Sequence, residues 1–347
     1  MTNSSQQRLN QLDICRGIAI LAVLFIHVSG HFMTALHPPK SHAPPAWEWF
    51  ALAIPNQNFQ WAVPCFLMLS AFVNARSLAR NPDIGGYARR RVLTALLPYL
   101  LWSGVYIALN FVFGHQHSLS LGHVAKMLLT GTAHFHLYFF VLVLEMYLLL
   151  PLLVPLFQRR PPFWLVAVLS VVLQGSIYLL NRYVLFQRFQ PTILWDILPV
   201  ALGLWLFSQW ERWETIWKWG QWAAGMVTLA ALAVYSPLAM AVLLHQPVNT
   251  ALYQIGEWFF TAGMSFLMLA LAFALGRDSI TRLLGFLGAE SLGIYVMHPL
   301  AIIALDLLGV NKYLGTAAGL VIYYAACLAL PLIAAWAWRQ GKAAVTG

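Results

Sequence analysis

The chain has 347 residues, of which 61% are hydrophobic and 9% charged, against roughly 25% charged in an ordinary soluble domain. A soluble fold is excluded. The net charge of +9 is scattered over short loops and forms no dense basic stripe with interleaved aromatics, so nucleic acid is not an expected partner.

Apolar runs near 20 residues recur along the chain, each long enough to cross a lipid bilayer as a helix. They are placed at 14–36, 49–73, 92–113, 137–157, 163–180, 192–208, 220–236, 252–275, 284–305 and 314–338. The expected fold is all-α, a single polytopic membrane domain over 1–347 with about ten transmembrane helices. Pro38 and Pro39, Pro82, Pro161 and Pro162, Pro191 and Pro237 punctuate the joints, whereas Pro64, Pro98 and Pro151 fall inside spans and predict kinks. The polar start, the long first apolar run and the lack of a small-residue cleavage site predict that the first helix is retained as an anchor. Lys40, Lys126, Arg182, Arg188 and Lys312 fall on one side, and the other fifteen of the 20 Lys and Arg on the opposite one. By the positive-inside rule this predicts that both termini are cytoplasmic. Six tryptophans between Trp205 and Trp222 flank the loop after the sixth span and read as a headgroup anchor. Cys15, Cys65 and Cys327 lack metal-ligand spacing, so no metal and no disulfide framework is expected.

Ionisable groups inside spans are costly and mark functional sites by default. The first span holds His27 and His31, one turn apart on one face, and nearer its start Asp13 and Arg16, three apart and able to pair. Eleven residues separate Arg16 from His27, which at 100° each returns almost to the same direction after a rise of about 16 Å. The spacing predicts a groove lined by guanidinium at one end and imidazole at the other. A coenzyme A thioester has the matching layout, phosphates at one end and a reactive carbonyl at the end of a long arm. Arginine grips phosphate through forked, charged hydrogen bonds, and histidine moves protons near neutral pH. Each residue also has a plainer reading, as a topology marker or a structural hydrogen-bonding group.

These residues resemble a known family. RLNQLDICRGIAILAVLFIHVSG is similar to the first helix of the acyltransferase 3 family, bacterial enzymes that O-acetylate surface glycans. The family's arginine, ten residues, then histidine is matched by Arg16 and His27, and its Leu-Asp by Leu12 and Asp13. VPCFLMLSAF resembles the second-helix pattern, with Ser70 at its serine. HLYFFVLVLEMYLLLPLL from His136, and SLGIYVMHPL from Ser291, resemble later motifs.

The resemblance implies acetyl transfer from cytoplasmic acetyl-CoA to a hydroxyl of a glycan or lipid-linked sugar near the outer face of the bacterial inner membrane. His27 is then the general base, Arg16 the coenzyme contact and Asp13 its orienting partner. A covalent route would leave an acetyl on Ser70 or His27; direct attack is favoured here. The family's paired arginines three apart are replaced by consecutive Arg89, Arg90 and Arg91, which serve either as a phosphate-binding rim or as a topology-setting loop. Glu145 lies mid-span and either orients a histidine, binds sugar or serves structure. His31, His136, Tyr295 and His298 are the candidate acceptor contacts, with His134 read as loop. Glu257 and Glu290 have no assignable partner, and the outer histidines His37, His42, His115, His117 and His123 read as solvated. The alternative function is a glycan transporter, which would move its cargo without acetyl-CoA.

Overall fold

The computed structural model describes residues 3–38, 43–114, 119–184, 192–276 and 278–346. Pro39, Lys40, His42, His115, His117, Arg188, Pro191 and Arg277 lie outside the described residues.

Every regular element among the described residues is helical. In chain order these are α1 (Asn3–Leu36), α2 (Trp47–Asn58), α3 (Ala62–Arg80), α4 (Ile84–Arg91), α5 (Leu97–Val112), α6 (Leu121–Thr130) and α7 (Tyr138–Gln158). They continue with α8 (Phe163–Tyr183), α9 (Ile197–Ser208), α10 (Trp213–Leu243), α11 (Thr250–Ala274), α12 (Ser279–Ala289), α13 (Ser291–Leu307) and α14 (Ala317–Thr346). Among the described residues eight stretches are long and apolar enough to cross a membrane, and α12 with α13 makes a ninth that is bent by 78°. The expected span at 192–208 is shorter than anticipated. It consists of a 3₁₀ turn over Ile193–Asp196 and the 12-residue α9. Together they reach about 26 Å, short of the roughly 30 Å hydrocarbon layer.

Local chemistry explains where the helices start and bend. Asn249 caps α11 by accepting from the backbone N–H groups of Ala251 and Leu252 at 3.1 and 3.2 Å. Asp278 and Thr281 form a capping box on α12, and the Thr281 backbone N–H holds the Asp278 carboxyl below its usual range. Pro151 has no N–H for the carbonyl of Tyr147 four residues back, and the Tyr87 hydroxyl donates to that carbonyl instead, at 3.4 Å.

The chain forms two compact units, one of the described residues up to Cys65 and from Trp217 onward, the other of Phe66–Ile216. In the first, α1 is the central helix, packed against α2, α11, α12, α13 and α14. Gly17 and Gly288 let α1 and α12 approach backbone to backbone: a Cβ at Gly17 would meet the Leu284 carbonyl, and one at Gly288 the Asp13 carbonyl. In the second unit, α7 buries Leu142, Met146, Leu150 and Val154 against Leu67, Ala71 and Leu204. On α8 the residues Val168, Leu169, Val172 and Leu173 are exposed, the expected surface of a lipid-facing helix. The tryptophans between 205 and 222 divide: Trp210 and Trp213 are core residues, whereas Trp219 and Trp222 point outward.

Candidate functional site

In the first unit α1 carries its polar groups in register. Near its start the Arg16 guanidinium donates to the Asp13 carboxylate at 2.7 Å, and both side chains are about a quarter to a third exposed. Asp13 occupies one of five guanidinium donors, so the fork remains able to take a second anion.

Three turns on, the His27 ring stacks on His298 of α13, with centroids 5.0 Å apart and planes 22° from parallel. The state of His298 follows from its neighbour. Pro299 has no N–H for the Tyr295 carbonyl, and His298 fills the gap, its Nδ1 lying 2.7 Å from that oxygen. Nδ1 therefore carries the proton, and Nε2 is the basic nitrogen of the neutral ring. Tyr295 accordingly contributes its carbonyl, and its ring centroid lies 6.0 Å from that of His298.

His31, one turn beyond His27, reaches a partner that the sequence reading missed. Its Nε2 lies 3.1 Å from an Asp306 oxygen, and the Tyr323 hydroxyl donates to the same oxygen at 2.5 Å. A carboxylate there keeps the proton on Nε2 and leaves Nδ1 as the acceptor, the orienting arrangement familiar from His–Asp pairs. The only sequence signal was that Asp306 is an acid immediately after the ninth apolar run at 284–305. Its partner is 275 positions away.

The continuous groove expected between Arg16 and His27 is absent. Ile20 and Val23 lie on that face between them, and both are 0% exposed. Their branched side chains pack into the helices around α1, so an arm reaching from Arg16 to His27 requires this packing to part. Cys15, one position before Arg16, is buried with its Sγ 3.6 Å from that of Cys65.

The remaining candidates lie in the second unit. Glu145 does not meet a histidine: its carboxylate accepts from the Thr192 hydroxyl at 2.6 Å and the Ile193 backbone N–H at 2.7 Å, capping the 3₁₀ turn. The three arginines diverge. Arg91 lies over the rings of Tyr87 and Tyr147, at 5.3 and 5.1 Å, Arg89 is exposed, and a π turn over Val92–Leu96 follows. Ser70 is half-buried, and its carbonyl accepts from Asn74 at 2.7 Å. His136 is fully buried, with its Nδ1 3.0 Å from that of His134. His134 lies, as expected, in the loop between α6 and α7; its ring is 4.3 Å from Tyr106, and burial pushes its pKa down to about 4.

The two glutamates without an assigned partner acquire one. Glu290, at the bend between α12 and α13, pairs with Arg339 of α14. Glu257 accepts from Gln254 at 3.0 Å. Among the described residues no cluster of three or more His, Cys, Asp or Glu is arranged to hold a metal ion.

A family model described as an acyltransferase domain matches residues 9–336, and the match runs through both units. No curated protein and no solved structure matches the chain.

Proposed function

The chain belongs to the acyltransferase 3 family, and on that premise we propose that this multi-pass membrane protein transfers an acetyl group from acetyl-CoA to a sugar hydroxyl. The observation that carries this reading is the His27–His298 pair, an imidazole of α1 stacked on one of α13, with the Asp13–Arg16 pair three turns earlier on α1. Arg16 binds the coenzyme phosphates, with both termini on the cytoplasmic face of a bacterial inner membrane. His27 takes the proton of the acceptor hydroxyl, the oxygen attacks the thioester carbonyl, and the departing thiolate takes a proton from the imidazolium. His298 supports the His27 ring, and His31, oriented by Asp306, meets the acceptor on the outer side. The acceptor is a glycan or lipid-linked sugar.

The test is mass spectrometry of cell-envelope glycans with and without the protein. An acetyl mass increment that requires it is the expected result, and its absence would refute the proposal. Two variants probe the parts. Arg16→Ala removes one charged hydrogen-bonding partner, so acetyl-CoA binding should weaken by about 2 kcal/mol, roughly thirtyfold. An unchanged dissociation constant removes the assignment. Asp306→Asn keeps the shape but loses the carboxylate that orients His31, and transfer should fall by about ten- to a hundredfold with an altered pH profile. A profile identical to wild type would make the pair purely structural.

A further inference from the structure

The polar contacts of α1 do not end at His27. The helix meets α13 twice, through His27 and His298 and, one turn further on, through His31 and Asp306. The second contact sits where its helices end. His31 is five residues from the end of α1 and Asp306 one from the end of α13, while Tyr323 lies within the first two turns of α14.

The Tyr323 hydroxyl and the His31 Nε2 both donate to one Asp306 oxygen, at 2.5 and 3.1 Å, and neither has a further proton to give. The donors of the cluster are used up on that single atom. Its acceptors are not: among the described residues no donor reaches the other Asp306 oxygen or the His31 Nδ1. The packing seals neither atom, and the His31 and Asp306 side chains are 28% and 33% exposed. Tyr323 has the opposite character. Its ring is fully buried against His31 and Phe32 of α1, with centroids 5.5 Å from each. A ring so enclosed holds its hydroxyl still, which pins one carboxylate oxygen and leaves the other for a ligand.

Two open acceptors on residues that touch one another suit a ligand with two hydroxyls. Such a site is also selective, because a ligand that lacks one hydroxyl leaves a partly desolvated charge without a donor. We propose that Asp306 binds the acceptor directly: its free oxygen takes one sugar hydroxyl while His31 takes a neighbouring one, and Tyr323 is a positioning residue that holds the carboxylate. Acceptors bearing both hydroxyls are thereby selected. That the ligand is the acceptor follows from the acyltransferase reading; that it carries two hydroxyls follows from the contacts. Proton transfer stays with His27.

The test uses the full chain in detergent, with methyl hexopyranosides and their monodeoxy derivatives as probes and binding read by saturation-transfer NMR. Wild type should bind at least one parent glycoside, and removing one of its hydroxyls should weaken binding about tenfold or more, the scale of a hydrogen bond to a charged group. In Asp306→Asn the two donors claim the amide oxygen and an NH₂ takes the free position. This variant should bind the parent about tenfold more weakly and distinguish that deoxy derivative by less than threefold, since interacting groups are not additive. Its acetyl-CoA dissociation constant should stay within twofold of wild type. Tyr323→Phe keeps the ring and loses the hydroxyl, and should raise the acceptor KM more than it lowers kcat.

Equal effects of the missing hydroxyl in wild type and Asp306→Asn overturn the proposal, as does the absence of glycoside binding by wild type. Joint loss of glycoside and acetyl-CoA binding in Asp306→Asn overturns it too, since Asp306 would then be a brace for the fold. A Tyr323→Phe protein with an unchanged KM removes Tyr323 from the site. If Asp306 and the hydroxyl are coupled but wild type transfers no acetyl group, the site stands and the acyltransferase reading falls. Acetyl transfer without that coupling retires the site alone.

Discussion

With His27 replaced by alanine, acetyl transfer is expected to drop by about 10² to 10⁴, the usual contribution of a positioned general base, while the protein inserts and binds acetyl-CoA as before. His27 is the better of the two stacked imidazoles for this test. Its side chain is half-buried, so truncation removes chemistry more than packing. His298 is 0% exposed, and shortening it would open a cavity and strand the Tyr295 carbonyl that Pro299 leaves without a backbone donor. The measurement is transfer of labelled acetyl from acetyl-CoA in membranes containing equal amounts of each protein, beside a coenzyme-binding assay. A well-inserted His27→Ala protein that transfers at the wild-type rate would remove the base from the mechanism. A variant that loses coenzyme binding as well would show that His27 holds the architecture of α1.

The features legible in the sequence were those that one helix encodes by itself. The pairing of Asp13 with Arg16 needs only a spacing of three on one helix, and the structure has it. The proline after His298 signals a vacant carbonyl one turn back, and that vacancy fixes the tautomer of the ring. What was illegible depends on which helices meet. Asp306 and His31 are brought together by the packing of α13 and α14 on α1, and nothing in the spacing of either residue names the other. Glu290 and Arg339 are 49 positions apart on different helices, and their spacing likewise names no partner. The expected groove failed for the same reason: residues 20 and 23 share a face with Arg16 and His27, but only neighbouring helices decide whether that face is open.

The crossing of α1 and α12 carries the largest stability prediction. Gly288→Val should destabilise the folded protein by about 3 kcal/mol or more, the upper end of overpacking costs. The reason is the identity of the atoms in the way. A side chain at Gly288 falls on the Asp13 carbonyl and close to the Gly17 nitrogen, and one at Gly17 falls on the Leu284 carbonyl. Backbone atoms of two helices cannot rotate aside as a flexible side chain does, so the axes must separate, and the close packing that small residues permit in a membrane is lost. The displaced turn carries Asp13 and Arg16, so coenzyme binding should weaken with stability. Gly293→Ala on α13 is the control: a Cβ there meets nothing within 4 Å, and replacing a helical glycine by alanine is worth about 0.5–1 kcal/mol in favour of the helix. Thermal inactivation in detergent, followed by size-exclusion chromatography, should place Gly288→Val well below wild type and Gly293→Ala at or above it. If the two variants rank the other way, α1 and α12 do not cross through these glycines.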